Sequence, residues 1–300
     1  MGVAFAHSTI HSQFECKPLS RPLTPTIADC LEHQRLRPVF QPIGSLANGE
    51  IIGFEALIRG PAGTPLESPV ALFAEAARVG CLVRLERLAS RISIAAFMRA
   101  GLPGKLFINY SADSIREVDN HRDDVRAFLK THGIASDRIV IELTEQAPLG
   151  SLECLSRAVE SIRGRGVQFA LDDYGTGHAS LGQWIALKPD YVKIARVVVD
   201  GVATSPFQQE ALRAMRRLAD SSGTALVAEG IEQEADLRIC RDLGIDYAQG
   251  YLLARPTAEP PLTISEDALR VIRSGPVEVL RGDKVSEPGT DAVPRLRSGE

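Results

Sequence analysis

The segment VFQPIGSLANGEIIGFEALI, residues 39–58, decides how the chain folds. Val39–Ile43 and Ile51–Ile58 are short runs with strand character. Only Gly44–Glu50 joins them, and that connection carries Asn48-Gly49. A parallel crossover needs a dozen or more residues, whereas Asn-Gly adopts the positive backbone angles of a hairpin turn. The first strand is therefore expected to run antiparallel to the second. Six further strand-like runs follow: Leu106–Tyr110, Arg138–Leu143, Val167–Asp172, Tyr191–Ala195, Ala225–Glu229 and Asp246–Gln249. Helix-period segments such as Leu152–Arg165 and Phe207–Ser221 separate most of them. Gly133, Gly166, Gly223 and Gly244 fall between a helix and a strand, where a left-handed residue is wanted. Strands alternating with helices over about 230 residues predict an α/β fold, a TIM-like (β/α)8 barrel with an antiparallel first strand.

The barrel is expected to occupy residues 31–260. Residues 1–30 read as an N-terminal extension or linker, and 261–300 as a short helix (Ser265–Ser274) with a polar C-terminal tail. In the 300-residue chain, 34 Lys+Arg stand against 38 Asp+Glu, a formal net charge of -4. That balance excludes a protein held on bulk nucleic acid by positive charge. No apolar run approaches the roughly 18 residues of a membrane span, and the first residues lack the pattern of a secretory signal. Cys16, Cys30, Cys81, Cys154 and Cys240 are scattered with no C-x-x-C pair. They read as reduced, mostly core thiols of a cytoplasmic protein.

Chemistry gathers at the strand ends. Ile51, Gly53, Glu55 and Leu57 share one face of their strand, so Glu55 is a carboxylate inside a buried element. The same oddity recurs at Asn109, Glu142, Asp172-Asp173, Lys193, Glu229 and Gln249. Barrel enzymes place their active sites at the carboxyl ends of the strands. So many acids cannot all stay ionised in one dry pocket without counter-charge, and Lys193 alone is insufficient. All the donors are oxygen, which suits Mg²⁺ or Mn²⁺ rather than structural zinc. Adjacent aspartates can serve two ions with one carboxylate shared, an arrangement suited to in-line hydrolysis of a phosphodiester.

These residues resemble a known family. FQPI, Glu55-Ala56-Leu57-Ile58-Arg59, Phe107-Ile108-Asn109-Tyr110-Ser111, Glu142-Leu143-Thr144-Glu145, DDYGTGHASL, Val192-Lys193-Ile194, Ala228-Glu229-Gly230-Ile231-Glu232 and Gln249-Gly250-Tyr251 look like the ordered motifs of the EAL domain. The resemblance runs from about Leu31 to Pro256. The family comprises bacterial phosphodiesterases of cyclic di-GMP, so it implies a metal-activated water that attacks phosphorus and yields linear pGpG. Glu55, Asn109, Glu142 and Asp172 match its metal ligands, with Asp172 shared and Asp173 serving a second ion. Lys193 matches the lysine that holds the attacking water, and Glu229 the general base or water-organising glutamate. Glu145 matches a residue that steadies the DDYGTG loop, and Gln249 a polar contact near the nucleophile. Gln41, Leu57, Arg59 and Glu232 match positions on the substrate side, Arg59 as a fork for a phosphate. The resemblance also implies a homodimer formed near the DDYGTG loop.

The sequence departs from the family at Gly60, where a bulky aromatic is common, and at Ala195, where an aspartate often follows Lys-Ile. Tyr174 stands for phenylalanine and His178 for an aromatic. Glu75 and Glu86 read as a solvated helix face, and Trp184 as packing. Two functional classes follow: a metal-dependent phosphodiesterase, and a non-hydrolytic cyclic di-GMP receptor that signals to a protein partner.

Overall fold

A computed structural model describes residues 25–120, 122–144, 152–177 and 179–274. Helix α1 (Ile27–Glu32) leads into β1 (Arg37–Ser45) and β2 (Ile51–Arg59), followed by α2 (Pro69–Arg78) and α3 (Leu82–Arg99). Then come β3 (Lys105–Tyr110), α4 (Ala112–Asn120), α5 (Arg122–His132), β4 (Ile139–Leu143), α6 (Leu152–Arg163) and β5 (Gln168–Tyr174). The second half holds α7 (Leu181–Leu187), β6 (Tyr191–Ile194), α8 (Arg196–Val199), α9 (Pro206–Ser222) and β7 (Ala225–Ala228). It ends with α10 (Glu234–Asp242), β8 (Tyr247–Ala248) and α11 (Glu266–Arg273). The strands close into one barrel in chain order.

β1 runs antiparallel to both β2 and β8, and the other neighbours are parallel. The hairpin is the cause. Gly49 adopts a φ of 80°. The Asn48 side-chain oxygen accepts from the Glu50 N–H at 3.0 Å, and Ser45 N–H donates to the Glu50 carbonyl at 2.8 Å. The reversed first strand expected from Asn48-Gly49 is thus formed, and Gly133, Gly166, Gly223 and Gly244 all have positive φ as expected.

Boundaries differ in detail. Arg138 sits in a 3-10 turn before β4, its guanidinium donating to the carbonyls of Gly104 and Leu102. Glu229 and Gln249 lie just past β7 and β8. Their backbones still continue the ladder, Glu229 N–H to Ile194 O at 3.0 Å and Gln249 N–H to Ala228 O at 2.8 Å. α6 stops at Arg163, before Gly164, while Ser205 caps α9 with Pro206 in its first turn. The packed body also reaches past residues 31 and 260: Ile27 and Cys30 are buried, and Ala268, Val271 and Ile272 of α11 join the main core. Cys30 and Cys240 are buried thiols, Cys81 is half-buried and Cys154 is exposed; Cys16 lies outside the described residues.

The barrel interior is layered because side chains on a strand repeat with period two. Ile43, Phe107, Val140, Ala170, Tyr191 and Val227 pack together as an apolar floor. Two positions further toward the carboxyl end of their strands come Asn109, Glu142, Asp172, Lys193 and Glu229. On the reversed β1 the corresponding step leads back from Ile43 to Gln41. Among the described residues, no helix is long and apolar enough to cross a membrane.

Candidate active site

Lys193 is the centre of the polar layer. Its ammonium is 1% exposed and lies 2.7 Å from Glu229 Oε1, 2.9 Å from Glu142 Oε1, 3.1 Å from Asp172 Oδ1 and 3.2 Å from Glu55 Oε2. Five strands, β2 and β4–β7, thus send a charged group to one point at or just beyond their carboxyl halves. Glu55 is further held by two amides. Asn109 Nδ2 donates to Glu55 Oε1 at 2.8 Å, and Gln249 Nε2 to Glu55 Oε2 at 2.8 Å. Gln249 Nε2 also reaches Gln41 Oε1 at 3.1 Å, and Gln41 Nε2 donates to the Ala254 carbonyl at 3.1 Å.

Four carboxylates around one ammonium leave negative charge in excess, and proton affinities record it. Burial opposes ionisation of Glu55, yet Lys193, Asn109 and Gln249 outweigh it and hold the carboxyl below its usual value. Burial wins at the other three acids. It pushes Glu142 well above the carboxylate range, raises Asp172, and lifts Glu229 to about 8, with the neighbouring acids adding to each shift and Lys193 opposing it. Lys193 is moved the opposite way: burial disfavours its charge, but Asp172, Glu142, Glu229 and Glu55 together keep it protonated. Glu142 Oε2 and Gln249 Oε1 are buried without a hydrogen-bond partner among the described residues. An orphaned buried carboxylate oxygen is costly unless a cation or proton meets it.

That donor set fits a hard divalent cation in kind: four carboxylates and an amide, all oxygen. Among the described residues, no three His, Cys, Asp or Glu side chains are already spaced around a common ion position. The acids are gathered on the Lys193 ammonium instead, which supplies the positive charge.

Beside this cluster a cleft of about 280 Å³ is lined by Glu55, Leu57, Asn109, Asp172 and Asp173. Asp173 is exposed and holds a φ of 51°, a left-handed conformation that an aspartate tolerates. Arg59 stands at the end of β2 with its guanidinium on the Ile58 carbonyl at 3.0 Å, outside the residues that line the cleft. Glu232 is engaged by Arg196 at 2.7 Å, a partner the sequence does not advertise. Glu145 and His178 lie outside the described residues.

Glu86 is a correction. Read as part of a solvated face, it is 4% exposed and accepts from Ser111 N–H at 3.1 Å and Ser111 Oγ at 2.8 Å. Four residues further along α3, Ser90 Oγ accepts from the Tyr110 hydroxyl at 2.6 Å. α3 therefore clamps the end of β3 just beyond Asn109. The signal was available: Glu86, Ser90 and Ser93 recur at helical spacing beside Leu85 and Ala89, a buried face made of small residues. Glu75 is half-buried on α2, paired with Arg78 at 2.7 Å. Trp184 is packing, 1% exposed and edge-on to Tyr174 at 5.2 Å. Gly60 has a local cause: a Cβ there would lie 2.0 Å from the Leu66 carbonyl, so glycine lets residues 60–67 fold back over β2.

Residues 26–256 match the EAL domain family. The chain is 34% identical over 227 residues to an uncharacterized protein of Azorhizobium caulinodans, covering 72% of this chain and 30% of that protein. It is 28% identical over 260 residues to the cyclic di-GMP phosphodiesterase NbdA of Pseudomonas aeruginosa, covering 85% of this chain and 33% of that one. The chain thus spans about a third of the length of these curated relatives. Among solved structures, Klebsiella pneumoniae BlrP1 in its calcium and cyclic di-GMP complex superposes with a TM-score of 0.67 at 26% identity, covering 75% of this chain and 56% of that one.

Proposed function

The chain belongs to the EAL domain family, and from that premise we propose that it is a metal-dependent phosphodiesterase that hydrolyses cyclic di-GMP to linear pGpG. One observation carries the reading: Glu55, Glu142, Asp172 and Glu229 converge on buried Lys193 while Glu142 Oε2 is left without a partner. The name of NbdA and the complexes of BlrP1 with cyclic di-GMP and calcium or manganese support it.

In this reading Glu55, Asn109, Glu142 and Asp172 would hold one Mg²⁺ or Mn²⁺, and Asp173 would serve a second beside Asp172. When bound, such ions acidify a water and neutralise the charge that grows on the phosphoryl oxygens. The chain's own groups do the rest. Lys193 Nζ would hold and orient the attacking water. Glu229 would take its proton at Oε1 as a general base. Gln249 and Asn109 fix Glu55 through their amides, and Arg59 turns from the Ile58 carbonyl to grip a phosphate as a two-pronged donor. Gln41, Leu57 and Glu232 line the substrate side, with Glu145 steadying the loop after β5.

The homodimer is proposed near that same loop. Leu181, Ile185, Val197 and Phe207 are large apolar side chains exposed at 49%, 64%, 66% and 85%, all on the elements that follow it. These side chains are where a second copy would cover apolar surface.

Incubating the purified chain with cyclic di-GMP and Mg²⁺ or Mn²⁺, then separating nucleotides chromatographically, tests the proposal. pGpG is expected with either ion and not with chelator. Retained binding without product in both ions would instead make the chain a cyclic di-GMP receptor.

A further inference from the structure

On the outside of the barrel, away from the polar layer, a groove of about 1270 Å³ runs between α3 and the first half of β1. Its origin is topological. Because a hairpin joins β1 to β2, no crossover helix belongs to that step, and the described residues cover the outer side of β1 only in part. The floor is apolar, with Leu36, Leu88 and Ile92 facing the groove and Leu262, 62% exposed, at its lip. One side is a row of arginines on α3: Arg84, Arg87, Arg91 and Arg99. Arg91 stacks on the Phe128 ring at 4.8 Å, while Arg84, Arg87 and Arg99 have no carboxylate partner among the described residues. Arg37, also on the lining, is neutralised by Glu67 at 3.0 Å, and among the described residues Glu259 is the single acid lining the groove.

We propose that this groove docks an acidic amphipathic helix of a partner protein, apolar face on Leu36, Leu88 and Ile92 and glutamates or aspartates along the α3 arginines. Four features select that occupant. The groove exceeds the roughly 300–1,000 Å³ of small-ligand pockets. Arg84 to Arg99 spans about 22 Å of helix, which matches a partner helix of about 15 residues laid alongside. Arginine forks bind carboxylates two oxygens at a time and are enriched where interfaces draw their energy. The concavity and apolar floor suit a helix better than a flat anionic membrane or a phosphate backbone.

The test uses the full chain and a fluorescein-labelled peptide of about 15 residues, leucines on one helical face and glutamates on the other. Binding is followed by anisotropy, with a scrambled peptide of the same composition as control. The amphipathic peptide is expected to bind at least about tenfold more tightly than the scrambled one. Arg87→Glu with Arg91→Glu is expected to weaken it at least about tenfold, and so is Arg84→Glu with Arg99→Glu, whose side chains are exposed and leave the fold intact. Equal binding of both peptides, or indifference to both charge reversals, overturns the proposal. Capture by phosphatidylglycerol vesicles without peptide binding would overturn it in favour of a membrane. Self-association abolished by the same reversals, again without peptide binding, would overturn it in favour of a second copy.

Discussion

Along β3 the barrel interior passes from Phe107 to Asn109, along β4 from Val140 to Glu142, and along β6 from Tyr191 to Lys193. Each pair shares a strand and a face, two residues apart, yet the members do opposite work. Phe107, Val140 and Tyr191 belong to the floor, which packs as a core does; Phe107 meets Tyr191 edge-on at 5.3 Å. Asn109, Glu142 and Lys193 belong to a buried layer of polar groups, with orphaned oxygens and carboxyls driven from their usual proton affinity. The strand geometry is common to both layers. What differs is that the upper one buries charge where the lower one buries apolar surface, at a cost in folding energy that the proposed cation site would explain.

Substitutions on the two layers should therefore separate activity from stability. Glu55→Ala removes a proposed ion ligand and the acceptor for Asn109, Gln249 and Lys193, so pGpG formation should fall below detection in a chromatographic assay. Unchanged turnover would remove Glu55 from the ligand set. Lys193→Met should cost about a thousandfold in kcat, within the range for a lost proton-handling group. Phe107→Ala in the floor should do the reverse. Denaturant titration should find it less stable by about 3–5 kcal/mol, the cost of truncating a buried aromatic, with activity per folded molecule nearly kept.

The comparison also has a pH signature. Glu142, Asp172 and Glu229 have native pKa values above their unfolded ones, Glu229 at about 8. The native state then binds more protons than the unfolded state from about 4.5 upward, so stability falls as pH rises through that window. Glu55, held low, has the opposite sign and loses its stabilising share on acidification. In chelator, the melting temperature should drop between about pH 5.5 and pH 8.5, and Mn²⁺ should shrink the drop; a flat profile in chelator would contradict the assignment. The smallest effect is expected for Glu86→Gln, which weakens one charged clamp on Ser111. About 1–2 kcal/mol of stability and less than about tenfold in kcat should go with it, read by melting and steady-state kinetics.

Much of this was legible because it depends on local chemistry. Asn48-Gly49 dictates its hairpin within a few residues, and the recurrence of a polar group at each strand end picks out Glu55, Asn109, Glu142, Asp172 and Lys193. What escaped depends on contacts between distant segments. Whether Glu86 faces solvent is decided by which side of α3 meets β3, and the burial of Ala268, Val271 and Ile272 by α11 docking on the body. Arg196 taking Glu232, and Arg59 settling on Ile58, are likewise choices among partners that spacing does not rank. The sequence also could not announce that Lys193 would touch four acids at once, since those come from four different strands or strand ends.

The proposed phosphodiesterase stands on the polar layer being a cation site built on Lys193 and its acids. Anomalous scattering from crystals grown with Mn²⁺ tests it most directly. A peak is expected bounded by Glu55, Asn109, Glu142 and Asp172, with Lys193 Nζ drawn away from at least some of its carboxylates. A layer that keeps all four carboxylates on Lys193 in saturating Mn²⁺, with no peak among them, would contradict it.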